Sequence, residues 1–211
     1  VWAWGNNTNG QLGDGSTTQR NSPVQTGGLT GVVAIAAGQS TSFALKSDGT
    51  VWSWGLNSFG QIGNGTTVSQ QITPVQVSGL TGVTAIAAGL YFAVALKSDG
   101  TVWGWGYNTN GELGNGGSST AVTTLPAPVA ITGVVAMAAG ANHVQALKSD
   151  GTVWGWGYNG SGQLSDASAA RFWPVPIVGV TGVSALAASY SSSFLVRSDG
   201  AVFAMGYNQD G

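Results

Sequence analysis

The sequence predicts an all-β fold, a β-propeller of four-stranded antiparallel blades, and three observations point to it. The phrase Val-Trp-x-Trp-Gly begins at Val1, Val51, Val102 and Val153, and a degraded copy, Val-Phe-Ala-Met-Gly, begins at Val202. The copies are spaced by 50, 51, 51 and 49 residues, a period typical of propeller blades and similar β-repeats. Each period contains short β-prone runs separated by glycine and proline turns, as antiparallel strands require.

The last strand of one unit is joined to the tryptophan phrase of the next unit by a hairpin. Near the end of the second unit, Val83–Gly89 and Phe92–Lys97 are β-prone runs, and Val102–Gly106 is the returning strand. Asp99-Gly100 lies between the last two and predicts a type I′ turn, in which both central residues have positive φ. The same dipeptide recurs at Asp48-Gly49, Asp150-Gly151 and Asp199-Gly200.

Side chains alternate along the returning strand, so the two tryptophans of each pair share one face. The pairs are Trp52 with Trp54, Trp103 with Trp105, and Trp154 with Trp156, and the fifth copy has Phe203 with Met205. Since an indole buries about 150–250 Å², we expect both tryptophans of each pair to be core residues that stack blade against blade.

A glycine-rich loop follows each returning strand, for example Asn57 to Gly65. Asparagine suits Asx turns and glycine suits positive φ. Each loop is predicted to bury one apolar residue and to bond its backbone through the preceding Gln or Glu; these pairs are Gln11-Leu12, Gln61-Ile62, Glu112-Leu113 and Gln163-Leu164. No lysine follows and no helix begins, so the loop is not a phosphate-binding P-loop.

Proline marks the β-prone segment that follows each glycine-rich loop, at Pro23, Pro74, Pro128 and Pro174. Because proline has no N–H to give to a neighbouring strand, it is tolerated on an edge strand. We therefore expect the proline strand to be the outermost of four.

One unit reads Val-Trp-x-Trp-Gly, Asn-x-x-Gly-Gln-Leu-Gly-x-Gly, Pro-Val, Leu-x-Gly-Val-x-x-Ile-Ala-Ala-Gly, and Ala-Leu-Lys-Ser-Asp-Gly-Thr. This motif resembles the regulator of chromosome condensation repeat family, especially its bacterial members, over essentially the whole chain. The resemblance implies a propeller, usually of seven blades. It also implies a role as an interaction platform, or as an exchange factor that acts on a small GTPase and itself docks on nucleosomes. Many members of the family carry a histidine three residues after the Ala-Ala-Gly glycine, and here only His143 matches.

We expect a single repeat array over residues 1–211, with units 1–50, 51–101, 102–152 and 153–201 and a partial fifth unit 202–211. Seven units would need roughly 350 residues. Three arrangements follow: the chain is part of a longer propeller, two copies close one ring by self-association, or four units close alone. The third conflicts with Val202–Gly206, which occupies the place that Val1–Gly5 would take, and we favour the first.

Composition excludes several classes of function. Charged residues make up only 7% of the chain, and the net charge is −2. No cluster of Lys or Arg is present that would bind nucleic acid or an anionic membrane electrostatically. No apolar run approaches the ~20 residues of a membrane span, so we predict no membrane insertion. The chain has no cysteine, hence no disulfide and no thiolate zinc site.

Catalysis is not predicted either. His143 is the single histidine and Glu112 the single glutamate, and no nucleophile, base and orienting group come together in the pattern. The repeated aspartates are explained by their turns. We therefore predict no catalytic residue, no cofactor and no metal site.

The loops that differ between copies carry the candidate binding residues, because function in a repeat scaffold lies in its variable loops. Arg171, Phe172 and Trp173 bring an exposed arginine beside two aromatics, which is typical of interface hot spots; alternatively, Phe172 and Trp173 cap the blade edge. A second set follows the Ala-Ala-Gly strands and would share one face around the channel: Tyr91, Asn142, His143 and Tyr190. For His143 the alternative is a packed structural role.

The function that these observations favour is a non-enzymatic scaffold for protein–protein interaction, bacterial and exported or on the cell surface. The support is low charge and loops rich in Ser, Thr, Gly and Asn. The alternatives are a glycan-binding or adhesive propeller and, from the resemblance alone, a guanine nucleotide exchange factor.

Overall fold

The computed structural model describes residues 1–117, 119–166 and 168–209. It consists of antiparallel sheets arranged as the blades of a propeller. The last two residues of the expected partial fifth unit, 210 and 211, lie outside the described residues. Among the described residues, no helix is long and apolar enough to cross a membrane. The all-β propeller predicted from the repeat is confirmed.

The blades are numbered one to five along the chain, and the first and last differ in strand number from the others. Blade one is a two-stranded sheet with strands β1 (Trp2–Gly5) and β2 (Arg20–Gln25). Blade five has three strands, β15 (Val183–Ala188), β16 (Ser192–Arg197) and β17 (Val202–Gly206).

Blades two, three and four each have four strands in simple sequential order. Blade two has β3 (Val32–Ala37), β4 (Thr41–Lys46), β5 (Val51–Leu56) and β6 (Gln70–Gln76). Blade three has β7 (Val83–Ala88), β8 (Phe92–Lys97), β9 (Val102–Asn108) and β10 (Ser119–Pro128). Blade four has β11 (Val134–Ala139), β12 (His143–Lys148), β13 (Val153–Tyr158) and β14 (Ala170–Pro176).

The first strand of each blade is innermost and the proline strand is outermost. Strands β3, β7, β11 and β15 contact their neighbours in that order, so they line the central channel. The proline strands β6, β10 and β14 pair on one side only, which confirms the predicted edge position. The upper face of the propeller is defined by the loops from first to second and from third to fourth strand. The lower face carries the hairpins and the connections between blades.

The hairpin on the lower face differs from the predicted type I′ turn. Gly49 has φ of 76°, but Asp48 is not in the positive-φ region. Gly49 N–H donates to Lys46 O at 3.0 Å, which gives a three-residue loop ending in a left-handed glycine. Asp48 instead accepts hydrogen bonds from the N–H and hydroxyl of Thr50, and these lower the pKa of Asp48 to about 2. The prediction was wrong because the aspartate acts through its side chain and not through its backbone conformation.

The second tryptophan of the pair joins each of blades two, three and four to the blade before it. Trp54, Trp105 and Trp156 are almost fully buried. Each indole N–H crosses to the preceding blade and donates at 2.9 Å to a loop carbonyl, that of Gln11, Gln61 and Glu112 respectively. A glycine two residues after the acceptor lets the ring approach: a Cβ on Gly63 would lie 2.8 Å from Trp105 Nε1.

The first tryptophan of each pair packs against the edge of a core cluster and is less buried than the second, so the prediction that both are core residues is confirmed only in part. Trp52, Trp103 and Trp154 are half-buried on the lower face, each beneath the ammonium group of a lysine at 5.1–5.8 Å from the ring centroid. These lysines close the preceding strand and form cation–π contacts. In blade one, Trp2 and Trp4 are both 63% exposed, and the described residues include no blade before it for them to pack against. Alternation along a strand places two residues on one face but does not say how far the neighbouring blade extends.

Backbone hydrogen bonds add two further connections between blades. Around the channel mouth, Gln39 N–H donates to Leu90 O, Leu90 N–H to Ala141 O, and Ala141 N–H to Tyr190 O, at 2.9–3.2 Å. Towards the rim, the last glycine of each loop donates to the outer strand of the next blade; these bonds are Gly15 to Ile72, Gly65 to Thr124 and Gly116 to Phe172.

The glycine-rich loop is held by its own amide side chains, as predicted. Asn57 Oδ1 accepts from Ile62 N–H at 3.0 Å, and Gln61 Oε1 accepts from Phe59 N–H at 2.9 Å. Both side chains are buried, and the other loops repeat the arrangement. In blade three a carboxylate takes the glutamine's place, since Glu112 accepts from Asn110 N–H at 2.8 Å, and burial raises the pKa of Glu112.

Trp105→Phe is expected to destabilise the protein by about 2 kcal/mol, because it removes the bond to Gln61 O and leaves a void between blades two and three. Trp103→Phe is the matched control, since its ring is half-buried and makes no inter-blade indole bond. Urea unfolding followed by circular dichroism measures both. Equal losses for the two variants would contradict the structural role assigned to the second tryptophan.

Glu112→Gln is expected to raise the melting temperature at neutral pH by a few degrees, because it removes a buried carboxylate whose pKa is raised. A raised folded-state pKa means that stability is present at low pH and is lost as pH rises. The gain should therefore shrink as the pH falls to 4. Gln61→Glu, at the matching position of blade two, should lower the melting temperature at neutral pH. A thermal scan without this reciprocity would contradict the assignment.

Candidate functional site

The upper face carries the positions at which the repeats differ most, and the inner strands open there into a channel mouth. A cavity of about 250 Å³ lies at this mouth, lined by Gln39, Leu90, Ala141, Tyr190 and the small residues that end the inner strands. Its rim is the series of inter-blade backbone hydrogen bonds from Gln39 to Tyr190. Tyr190 is 67% exposed, so its ring is available to a ligand at the mouth.

Beside the mouth, three aromatic side chains meet between blades two and three. Phe59 comes from the loop after β5, Tyr91 from the loop before β8, and Tyr107 from the end of β9. Ring centroids are 4.8 Å apart for Phe59 and Tyr91, 5.2 Å for Phe59 and Tyr107, and 6.3 Å for Tyr91 and Tyr107. All three are half-buried. We call this group the aromatic triad.

The fold brings the triad together because Tyr91 and Tyr107 are tied by backbone. Tyr107 N–H donates to Tyr91 O at 3.0 Å, which fixes the two residues at one edge of blade three. Phe59 reaches them from the neighbouring blade, in a loop rigidly held by Asn57 and Gln61. The triad is therefore supported by two blades.

Sequence reasoning found Tyr91 but missed Phe59 and Tyr107. A signal for Phe59 was present, because its loop position holds Asn9, Asn110 and Ser161 in the other copies. The position of Tyr91 likewise holds Ser40, Asn142 and Ser191. Departure from the repeat at two positions that adjoin across a blade boundary marks the site, but that adjacency is visible only in three dimensions.

The predicted patch of Tyr91, Asn142, His143 and Tyr190 is only partly assembled on the surface. Asn142 is half-buried in the upper-face loop of blade four, and its carbonyl accepts from Tyr158 N–H at 2.8 Å. His143 is fully buried and does not reach the surface. The upper face thus offers the triad near blades two and three, and Tyr190 across the mouth on blade five.

The segment Arg171 to Trp173 lies apart, on the outer strand β14. The expectation that Arg171 is exposed was wrong: it is 7% exposed and its guanidinium bonds Asp166 at 2.5 Å. Hydrogen bonds from Ser168 and Arg171 lower the pKa of Asp166 to about 2. Phe172 and Trp173 are 38% and 52% exposed.

Both aromatic rings of β14 also pack over glycines of the preceding loop. A Cβ on Gly111 would lie 2.7 Å from Phe172, and one on Gly116 would overlap the Trp173 ring. Thr124 covers Gly60 in the same way, and Leu125 lies near Gly65, so this contact is part of the repeat framework. The binding role of Arg171, Phe172 and Trp173 stays a prediction. The guanidinium of Arg171 is already paired with Asp166.

His143 lies between blades four and five. Its Nε2 is 3.0 Å from Ser193 Oγ on β16, and a Cβ on Gly140 would lie 2.2 Å from the ring. Burial lowers the pKa of His143 to about 4, so the imidazole is neutral at physiological pH. Its place in the structure is an uncharged contact between two blades.

The chemistry of the upper face is that of recognition. The triad carries no charge and combines apolar ring surface with two phenolic hydroxyls, which suits binding of a neutral or mixed surface. Among the described residues, no group of three or more His, Cys, Asp or Glu could hold a metal ion.

Lowering the pH from 6.5 to 4.5 should destabilise the protein by roughly 2–3 kcal/mol through His143. The folded-state pKa is depressed, so the unfolded chain binds a proton first and stability falls through this window. Urea titrations at several pH values measure the loss, in a Glu112→Gln background because Glu112 has the opposite sign. His143→Phe, which installs the residue type that blade three carries as Phe92, should lose the dependence. A retained slope would contradict the assignment.

Comparison with known proteins places this architecture. A family model of the RCC1-like domain matches residues 1–211. The ultraviolet-B receptor UVR8 of Arabidopsis thaliana is 32% identical over 162 residues, covering 74% of this chain and 36% of the receptor. The human E3 ubiquitin-protein ligase HERC2 is 35% identical over 120 residues, covering 55% of this chain and 2% of the ligase.

Solved structures agree on the fold. Human WBSCR16 superposes with a TM-score of 0.88 at 25% identity, covering 98% of this chain and 56% of that protein. Prp20p of Saccharomyces cerevisiae superposes with a TM-score of 0.85 at 23% identity, covering 99% of this chain and 53% of that protein.

This chain spans about a third of the length of UVR8 and about half of each of the two structures. The relatives named are eukaryotic and give no support to the expected bacterial or exported origin. The tryptophan phrase, the propeller blades built from it and a family match over the whole chain show that this protein belongs to the RCC1-like domain family.

Proposed function

We propose that this chain is a non-enzymatic scaffold that binds a protein partner through its upper face, with the aromatic triad as the main contact. The observation that carries the proposal is the meeting of Phe59, Tyr91 and Tyr107, whose half-buried rings have centroids 4.8–6.3 Å apart. The positions of Phe59 and Tyr91 hold polar residues in the other blades, so this blade boundary differs from the others.

The physical support is the energy that such rings provide on binding. Aromatic side chains dominate interface hot spots because they bury much surface while losing little rotamer freedom. The triad is also held by two blades before a partner arrives, so little ordering cost remains. Tyr190 across the channel mouth extends the contact surface.

The relatives are consistent with a binding role. Prp20p of Saccharomyces cerevisiae binds Gsp1p and histones. An equivalent protein partner for this chain is our proposal. Nucleotide exchange on a small GTPase remains the alternative that the family resemblance suggests.

A glycan partner is the second alternative, and the ring geometry weighs against it. The three rings are inclined to one another at 46–74°, so they form no common flat surface on which a sugar face could stack. They present edges and corners instead, which suit the aliphatic and aromatic side chains of a protein.

Two finer expectations stay predictions. The expectation of an exported or cell-surface protein rests on the low proportion of charged residues, 7%, and on the polar loops. Self-association to complete a ring is the other expectation. Light scattering on the purified chain tests the second.

Phe59→Asn and Tyr91→Ser should each weaken partner binding by roughly tenfold or more, because each removes a hot-spot ring and installs the residue found in another blade. A photo-crosslinker at Ser58, beside the triad, identifies the partner in an extract of the source cells. Titration calorimetry with the purified partner then gives the affinities.

The controls separate the alternatives. Val178→Ser, at an exposed residue of the connection between blades four and five, should leave the affinity unchanged. A crosslinker at Thr132, in the matching connection between blades three and four, should not capture the same protein. Glycan-array binding that depends on Phe59 would favour the glycan alternative. Faster nucleotide release from Gsp1p would favour exchange. Either result would contradict the proposal.

A further inference from the structure

The junction between blades four and five keeps the backbone hydrogen bond at the channel mouth, from Ala141 N–H to Tyr190 O, but it lacks two features that join the earlier blades. At the three preceding junctions an indole donates to the loop carbonyl, and a glycine accommodates the ring. At the fourth junction the indole position is Met205 and the glycine position is Ser165. A thioether has no N–H, so the Gln163 carbonyl receives no indole bond there.

Ser165 is forced into a glycine conformation. Its N–H donates to Gly162 O at 3.0 Å, as the glycine N–H does in the other loops, and its φ is 66°. Among the residues described, it is the one non-glycine with positive φ, a region that side chains disfavour. Its hydroxyl is buried and has no hydrogen-bond partner in the structure.

Gln145 is the second polar group at this junction. The matching residues are apolar: Phe43 lies 6.2 Å from the Trp105 ring, and Val94 packs in one cluster with Trp156. The same register directs Gln145 toward Met205. Gln145 is fully buried, and neither its Nε2 nor its Oε1 has a partner in the structure.

His143 and Ser193 complete the set. Their side chains form a polar contact across the junction at 3.0 Å, while His143 Nδ1 is buried without a partner. Four polar groups therefore lie at this junction, whereas the matching positions of the third junction hold an indole, a glycine and the apolar residues Phe92, Val94 and Val144.

We propose that this junction is a hydrated joint at which blade five opens away from blade four while the other blades remain folded. Ordered water in the space left by the missing indole bonds the amide of Gln145 and the hydroxyl of Ser165, as buried water does for otherwise unpaired groups. Polar groups that bond water both when the junction is closed and when it is open lose little on opening. Their contact therefore resists separation of the blades less than the contact of a well-packed indole does. Opening exposes the apolar face of blade four, including Leu147 and Leu164, which pack with Met205 in the closed state.

Hydrogen exchange measured by mass spectrometry on the full chain tests the joint against fraying of blade five that is independent of the junction. The repaired variant carries Met205→Trp, Ser165→Gly and Gln145→Val, the residues of the preceding junction. Amides of β15–β17 should then exchange roughly tenfold more slowly or better, with β3–β10 unchanged. Unchanged exchange in β15–β17 would overturn the proposal, because fraying does not depend on these three side chains.

Two further measurements keep the test decisive. Ser165→Gly alone adds no volume and removes one unpaired hydroxyl, so it should slow exchange in β15–β17 even if the triple variant does not fold. The reciprocal change at the third junction, Trp156→Met with Gly114→Ser and Val94→Gln, should transfer fast exchange to the boundary between blades three and four. A high-resolution crystal structure with a dry contact at Gln145 and Ser165 would overturn the hydration that the joint requires.

Discussion

The hydrogen bond from the second tryptophan to the loop of the preceding blade is the interaction on which the rest of the structure depends. A blade of this repeat has two apolar faces and cannot bury both by itself, so the array is stable only where neighbouring blades lock together. Trp54, Trp105 and Trp156 supply both large apolar area and a fixed donor. The acceptor carbonyl is held in place by the buried asparagine and glutamine of its own loop.

The contacts that hold the framework together lie between the blades. The exposed residues of the upper-face loops can therefore vary without unfolding the array. Two kinds of variation result, and they have different consequences. Phe59 and Tyr91 replace polar loop residues at the surface and create the aromatic triad. Met205, Ser165 and Gln145 replace residues of the junction itself, so they weaken the contact between two blades. The first kind bears on partner binding and the second on the order in which blades separate.

The sequence predicted the strands, the edge position of the proline strand and the role of the loop amides, because each depends on residues close together in one repeat. The predictions that failed depended on how side chains are placed in space, within a repeat as well as between repeats. Trp103 shares a face with Trp105, yet it is only half-buried and lies beneath the ammonium group of Lys97. Arg171 looked exposed in the sequence, but Asp166 lies within bonding distance once the loop folds back.

The sequence by itself determined the fold class, the number and order of strands in a blade, and the family, because periodic hydrophobic and turn residues specify local structure directly. Tertiary structure alone decided which side chains of different repeats meet. Phe59 and Tyr91 are separated by thirty-two positions in the chain and come into contact through the packing of two blades. Gln145 and Ser165 carry no sign of being unpaired until the blade opposite them is in place. Contacts of this kind depend on the angle and spacing between blades, which no single repeat encodes.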